Sequence, residues 1–454
     1  MIDKGLNRQV TFFDNVFFPV EYDKNHPIIR IADYLDREEL CNDLARFYCP
    51  NNGRLTVSLR LKVGLLILKH LEKQSDEQVV DRLKRDVYYQ YLCGVTFGDA
   101  QNAVNPSSLT HFRNQIGIEG VKMIENAVRK LMSRPPRGKK RGPKNREIVV
   151  DTTVTASPIT YPTDVKLLET TRTNLVKQLE KAEKTGRVKK RHRKYKRKAR
   201  KEFLLHQKLG RKSKKKRKKA VKKLLGFAKR NLRQLKESVN DIEKSALSKP
   251  LSKEEAKNFG KMKDVMKRSV AIIEQQIALS RGRKVSGRIV SFHNQNVRPI
   301  VRGKFPVNVE FGRKLLLLEK DGYLEMAGSY WDNVSDAHLT EPAIDYCEKV
   351  LDFKVEGIGA DRGFHGKESN RACKKHGVKR IAIQRKGKPR KSKRPKPRWE
   401  ERLRRRRCGI EGRISVAKRC YGLDRALYRI VNGEEMWSRL GLAAYNLKKA
   451  VSPR

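Results

Sequence analysis

Three acids in this chain have neighbours that set them apart. Asp151 closes the run Glu147-Ile148-Val149-Val150, Asp361 closes Val355-Glu356-Gly357-Ile358-Gly359-Ala360, and Glu411 lies inside the basic stretch Arg404 to Lys418. The first two runs have strand character, so each aspartate is expected at a strand end. In the third, Glu411 follows Arg407 by four residues and Lys418 follows by seven more, which brings all three to one helix face. Carboxylates that converge from two strands and a helix form a set of hard oxygen ligands. Such a set suits Mg2+ or Mn2+, which bind a few carboxylates together with water and phosphate oxygens. Two such ions can drive displacement at a phosphodiester. No Ser-His-Asp or Cys-His arrangement competes. Each acid also has a plainer reading. A single Asp at a strand end is more often a turn or cap residue, and a cation–acid–cation pattern on a helix is an ordinary surface ion pair. Asp164, Asp332 and Asp336 are alternatives for the first two acids, and Glu400 and Glu401 for the third. His365 could touch the site but reads more simply as a loop residue.

The composition narrows the partner. The chain has 454 residues with 106 Lys and Arg against 50 Asp and Glu, a formal net charge of +56. That excess repels itself in a compact state unless a polyanion is at hand, and nucleic acid is the leading one. An anionic membrane fits less well, because no apolar run is long enough to span a bilayer. The N-terminal residues lack a secretory h-region. The seven cysteines are scattered without a CxxC pair, as expected for free thiols in the cytoplasm. A bacterial, nucleoid-associated location follows as an expectation.

Several elements must position the acids. Residues 1–132 read as a helical N-terminal region, led by an aromatic stretch with Phe12, Phe13, Phe17 and Phe18. Leu59 to Leu68 is apolar enough to be a core helix, Ser75 with Gln78 reads as a capping box, and Gly94 as a helix stop. Asn105-Pro106-Ser107-Ser108 opens a short basic segment through Arg113. This suits a helix-turn-helix-like DNA reader, in which Arg113 would contact phosphate. A helical scaffold or dimer domain is an equal alternative. Residues 133–145 form a Pro- and Gly-containing linker whose Lys139, Lys140 and Arg141 can lie along a DNA backbone. Residues 146–164 begin an α/β core, with Tyr161-Pro162-Thr163-Asp164 turning into a helix. Residues 165–282 are a basic helical insertion. From residue 181 to 230, 26 of 50 residues are Lys or Arg and two are acidic. Leu225, Ala228, Leu232, Leu235, Val239, Ile242 and Ala246 then keep coiled-coil spacing, with Met262, Met266, Val270, Ile273 and Ile277 as a partner face. The basic run is either a disordered cationic tract or an ordered arm that clamps DNA. An ordered arm is expected, because Phe203-Leu204-Leu205 interrupts the run and a heptad pattern follows it. Residues 283–454 complete the core. Gly287 to His293, Arg313 to Glu319, and Tyr323 to Tyr330 read as strands, with Asp321-Gly322 as a hairpin turn. A helix from Ser335, a strand ending at Ala360, a helix near Lys367 to His376, a strand from Val378 to Ile383 and a helical C-terminal part follow. Gly409 and Gly412 beside Glu411 weaken a helix, so the last core helix either begins later or is approached closely there.

Without its insertion, this order is that of an RNase H-like fold, a mixed sheet flanked by helices. The whole pattern resembles the DDE transposases of bacterial insertion sequences, in particular the insertion sequence five group. The resemblance rests on Leu59 to Leu66, Ser75-Asp76-Glu77, Ser108 to Arg113, Asp151-Thr152-Thr153 and Tyr161 to Asp164. It continues in Arg302-Gly303-Lys304, Glu310-Phe311-Gly312, Ala360 to Phe364, Arg407 to Lys418 and Ala443 to Leu447. It implies Asp151, Asp361 and Glu411 as a metal-binding triad with Arg407 and Lys418 as companions. Arg404 stands where the family often has tyrosine, and an arginine there could still hold a phosphate. The implied activity is metal-dependent DNA cleavage and strand transfer by a homodimer that pairs element ends. A non-catalytic DNA- or RNA-binding derivative and a nuclease without joining activity are the alternatives.

Overall fold

The protein is described by a computed structural model covering residues 23–35, 37–49, 56–132, 146–208, 213–301, 309–385, 387 and 397–452. The aromatic lead-in, the linker with Lys139, Lys140 and Arg141, and the Arg302-Gly303-Lys304 motif fall outside these residues.

Among the described residues seven helices come first: α1 (Pro27–Tyr34), α2 (Arg37–Ala45), α3 (Leu59–Leu71), α4 (Asp76–Leu83), α5 (Val87–Cys93), α6 (Phe97–Ala100) and α7 (Pro106–Met132). Local chemistry sets their ends. The Ser75 hydroxyl accepts from Gln78 N–H at 3.1 Å and the Gln78 side chain accepts from Ser75 N–H at 2.9 Å, the expected capping box of α4. Gly94 stops α5 in the left-handed region. The short basic helix expected after Asn105 is longer than its sequence signals suggest. Helix α7 continues for 27 residues, across a kink at Gly117, because Leu109, Phe112, Ile116, Val121, Ile124 and Val128 all find a core to bury in.

Next come β1 (Glu147–Ala156), α8 (Asp164–Lys184), α9 (Lys196–Lys208), α10 (Lys214–Ser248), α11 (Lys253–Ser280), β2 (Arg298–Val301), β3 (Val309–Lys320) and β4 (Tyr323–Tyr330). The chain ends with α12 (Thr340–Lys349), β5 (Gly357–Ala360), α13 (Lys367–Lys375), β6 (Arg380–Ile383), α14 (Arg398–Tyr421) and α15 (Gly433–Val451). These elements divide into two compact units, Met1–Pro158 with Gly312–Arg454, and Ile159–Phe311.

In the first unit the strands lie in the order β4-β3-β1-β5-β6. Strands β4, β3 and β1 pair antiparallel, and β1, β5 and β6 pair parallel. Side chains alternate between the two faces. Ile148, Val150, Leu316 and Leu318 pack with α12 and α13, while Val149, Leu315 and Leu317 pack with α14 and α15. The result is a mixed sheet flanked by helices, in the order expected of an RNase H-like core. The N-terminal helices share an apolar cluster with α15 through Trp437, Leu440 and Leu447. Strand β1 does not end at Asp151 but continues to Ala156, because β3 pairs with it as far as Gly312. Helix α14 begins at Arg398 and runs unbroken past Gly409 and Gly412. It ends at Gly422, whose positive φ and contact with Trp437 leave no room for a side chain.

In the second unit the seam of α10 is buried from Leu225 to Ile242 as its spacing predicts, while Ala246 is only half-buried. It packs more extensively on α8, through Leu168, Leu175 and Leu179, than on the expected partner α11, which adds Met262 and Ile273. The strand expected at Gly287 to His293 is instead an extended loop. The Gln275 side chain bonds both the N–H and the carbonyl of Ile289, at 2.6 and 2.9 Å, and takes the place of a neighbouring strand. Phe292 and Ile289 then bury against Leu167 and Ile272.

One buried histidine makes the first unit acid-sensitive. His70 is 2% exposed, with Nε2 3.2 Å from the Tyr428 hydroxyl and its ring against Trp437. Burial, helped by the Lys69 and Arg113 charges, lowers its pKa to about 3. The unfolded chain protonates His70 near pH ~6.5 and the folded protein does not, so stability is lost as pH falls below ~6.5. By about pH 5 the loss is about 2 kcal/mol. His70→Gln should flatten the fall in thermal midpoint between about pH 7 and about pH 5 in a melting series. An unchanged slope would take His70 out of the account.

Candidate active site

The parallel pairing of β1 with β5 brings two of the three acids together. Val150 is in register with Ala360, so Asp151 and Asp361 are the next residues on neighbouring strands. Asp361 leaves the strand and caps a short 3-10 turn, with its Oδ1 accepting from Gly363 N–H at 2.8 Å. Asp151 Oδ1 accepts from Thr152 N–H at 2.7 Å.

Helix α14 brings the third acid alongside. It runs in the same direction as β1, tied at one end by Arg402 to Glu147 at 2.5 Å. At the other end the Thr155 hydroxyl donates to the Leu423 carbonyl at 2.9 Å. Asp151 lies halfway between these ties along β1, and Glu411 lies within about half a helical turn of halfway along the helix. Leu403, Ile410, Ile414 and Ala417 face the sheet. Arg406 flanks them on the β3 side, where it pairs with Glu319 at 2.9 Å. Glu411 sits about 140° further round, at about 100° per residue, and so on the flank toward β5. It is 61% exposed and paired with Arg407 at 3.0 Å. Burial works against the Arg407 charge, but its bonds to Cys408 and Glu411 outweigh that and raise its pKa. Lys418 is half-buried on the same flank.

Asp336, which sequence reasoning set aside as an alternative acid, belongs to this neighbourhood. Its Oδ1 accepts from the Thr152 hydroxyl at 3.1 Å and pairs with the buried Lys314 at 2.5 Å. A side chain at Gly363 would meet Asp336 Oδ2 at 2.6 Å and Asp361 Oδ1 at 2.9 Å. The glycine in Asp361-Arg362-Gly363-Phe364 was thus a readable signal that two carboxylates approach one backbone. Lys314 carried no such signal within its apolar strand.

Among the described residues, the ligand-type side chains gathered within 4.8 Å of one another are Asp345, Glu348 and His376. They lie at α12 and the end of α13, on the opposite face of the sheet from α14. Lys349 neutralises Asp345 at 2.9 Å and holds its carboxyl below the ordinary range. The carboxylates of Asp151, Asp361 and Glu411 stand further apart than that group. Their donor chemistry still fits Mg2+ or Mn2+, since all three offer hard oxygens.

Two expected DNA contacts are engaged elsewhere. Arg404 pairs with Glu400 at 2.9 Å. Arg113 is only 3% exposed. Its guanidinium forks onto both oxygens of Asp76, at 2.9 and 2.6 Å, and stacks on Tyr428. Burial pushes the Asp76 carboxyl up, but Arg113 and Lys69 outweigh it and hold it below its ordinary value. Arg113 is therefore held in a buried ion pair and not presented to solvent, because the segment is one turn of an amphipathic helix whose Leu109, Phe112 and Ile116 enter the core.

Residues 20–115 match the family described as Transposase domain (DUF772), and residues 326–447 match the family described as Transposase DDE domain. Both matches are to transposase families, and together they support a DDE transposase of insertion sequences. The second match includes Asp361 and Glu411, and Asp151 lies outside both. An uncharacterized protein, ORF8 in the nfe locus of Rhizobium meliloti, is 32% identical over 145 residues, or 31% of this chain. The matched stretch covers 66% of that relative's own length, just under two thirds. No solved structure matches the chain. Among the described residues, no helix is long and apolar enough to cross a membrane.

The burial of Arg113 is open to a direct test. Arg113→Gln leaves Asp76 without its main partner and should cost about 3–5 kcal/mol, read as a lower melting temperature. The salt dependence of DNA binding should not change. An unchanged melting temperature with a log–log salt slope smaller by about one would make Arg113 a phosphate contact after all.

Proposed function

We propose that the protein is a divalent-metal-dependent transposase that cleaves DNA at the ends of an insertion element and joins those ends to target DNA. The observation that carries this reading is the β1–β5 register, which makes Asp151 and Asp361 neighbours with Glu411 of α14 level with them. Asp151, Asp361 and Glu411 would hold Mg2+ or Mn2+. Bound there, the ions supply an activated oxygen nucleophile and relief of charge on the leaving oxygen.

The chain's own groups do the positioning. The Gly363 N–H holds one Asp361 oxygen and leaves the other for a ligand. Lys314 and Asp336 fix the Thr152 hydroxyl beside Asp151. Arg407 keeps Glu411 on the β5 flank and offers a guanidinium fork to a phosphate once Glu411 turns toward the aspartates. Lys418 adds a second cation on that flank. In the first step water attacks the phosphodiester at the element end and the 3′ oxygen leaves, taking a proton to become a free hydroxyl. In the second, that hydroxyl attacks a target phosphodiester at the same site, so one bond forms as one breaks. No protein nucleophile is consumed. A homodimer would pair the two ends.

Asp151→Asn, Asp361→Asn and Glu411→Gln should each lower cleavage and strand transfer by about a thousandfold or more, the scale of losing several kcal/mol of charge stabilisation. DNA affinity should stay within a few-fold. Strand transfer from a precut 3′-hydroxyl end separates a transposase from a nuclease that cannot join. Full activity in any of the three variants would overturn that residue's assignment, and absence of nicking by the unaltered protein with either ion would leave a binding protein only.

A further inference from the structure

The cationic insertion is folded, and its charges are arranged at a cost. Helix α10 opens with Lys214-Lys215-Lys216-Arg217-Lys218-Lys219, all exposed, and its first buried residue is Leu224. These opening turns therefore stand clear of the apolar core on every side. Like charges three and four residues apart repel on a helix. Cations at a helix N-terminus also oppose the macrodipole, and no acid in the first turn relieves them. Three acids of this unit are committed elsewhere, Glu202 to Lys223, Glu183 to Lys194 and Glu180 to Lys196. Among the described residues, no carboxylate pairs with Lys214, Lys215, Lys218, Lys219 or Lys222. A second feature lies just before α9. Tyr195 is held at φ 52, and the exposed Arg193 and Arg230 both stack on its ring, at 4.9 and 4.7 Å. Guanidinium groups fixed in this way lose little freedom on meeting a phosphate.

The geometry points to a second DNA-binding surface on the basic insertion, formed by the opening turns of α10 with Arg193 and Arg230, which grips the duplex phosphate backbone without reading sequence. The choice of DNA as the polyanion rests on the function proposed above. The surface has no apolar side that would enter a bilayer at α10, and its aromatic rings, Tyr195 and Phe227, already lie under arginines. It therefore lacks the stacking platform that single strands need. Counterion release by the cations is the driving force, and the self-repulsion of the helix is relieved in the complex.

The test uses the full chain with Lys214→Gln, Lys215→Gln, Lys218→Gln, Lys219→Gln and Lys222→Gln combined. Glutamine is a good helix former, and circular dichroism checks that helicity is kept. Affinity for an unrelated duplex of about 40 base pairs is measured across a salt series. The log–log salt slope should fall by about 4.5 if the five side chains each meet a phosphate. Cleavage of element-end DNA, read at DNA concentrations that saturate the variant, should stay within about twofold, since no altered residue belongs to the acid site. Asp151→Asn should show the reverse, an unchanged slope with cleavage lost, so failure of this surface and failure of the active-site assignment are distinguishable. Should the fivefold variant lose helicity, Arg193→Gln with Arg230→Gln carries the same test, with an expected slope change of about two. An unchanged slope in a folded variant overturns the proposal, as does tighter binding to single-stranded RNA or to anionic phospholipid vesicles than to the duplex.

Discussion

The position of Glu411 depends on a carboxylate that takes no part in the chemistry. The Glu147 side chain, 4% exposed at the start of β1, receives Arg402 at 2.5 Å and Arg380 at 3.1 Å. Glu319, equally buried on β3, receives Arg406. The apolar contact of α14 with the sheet is non-directional, and Leu403, Ile410, Ile414 and Ala417 would tolerate a slide of the helix along its axis. Buried carboxylates do not tolerate it, because a slide leaves them desolvated and unpaired. A slip of one turn would carry Glu411 about 5.4 Å along β1, out of line with Asp151. The ion pairs at the far end of the helix thus set where the third acid stands.

The charges of this protein fall into two groups. One group is internal and paired. Arg439 meets Glu125 and Arg129 meets Glu325, with all but Arg129 nearly fully buried, and Arg313 meets Glu435. These pairs join α7 to α15 and β4, and α15 to β3, and with the Arg113–Asp76 fork they build the first unit. The other group is external and mostly without carboxylate partners among the described residues, concentrated on α9 and the start of α10. A net charge of +56 read from composition cannot separate the two. Burial does, and it reassigns Arg113 from the second group to the first.

What was legible in the sequence was local. The Asp321-Gly322 turn forms with both residues at positive φ, as a two-residue hairpin requires. The capping box at Ser75, the stop at Gly94 and the seam from Leu225 to Ile242 all rest on neighbours a few residues away. What was not legible was set by distant partners. The extension of β1 past Asp151 depends on pairing with residues more than 150 positions later. The loss of a strand at Gly287 to His293 depends on one glutamine of α11 that offers its amide to Ile289. The later helix start considered at Gly409 and Gly412 does not occur, because the sheet contact of Leu403, Ile410 and Ile414 carries the helix through. Asp336 could not be ranked above the other acids, because its neighbours Lys314, Thr152 and Gly363 come from three separate segments.

The three acids of the candidate site are not held alike, and the difference bears on how it would work. Asp151 sits inside a paired strand, and Asp361 is pinned by the turn it caps. Displacing either means breaking backbone hydrogen bonds. Glu411 is mostly exposed and its partner Arg407 is on its own helix, an arrangement that contributes little to stability. Turning Glu411 toward the aspartates therefore costs little, and it frees the Arg407 guanidinium at the same moment. Two fixed carboxylates with one mobile one keep three like charges apart in the free protein. In the function proposed above, they would let the third close only when positive charge between them makes that favourable. That would account for carboxylates that stand further apart than the Asp345–Glu348–His376 group although β1 and β5 are neighbouring strands.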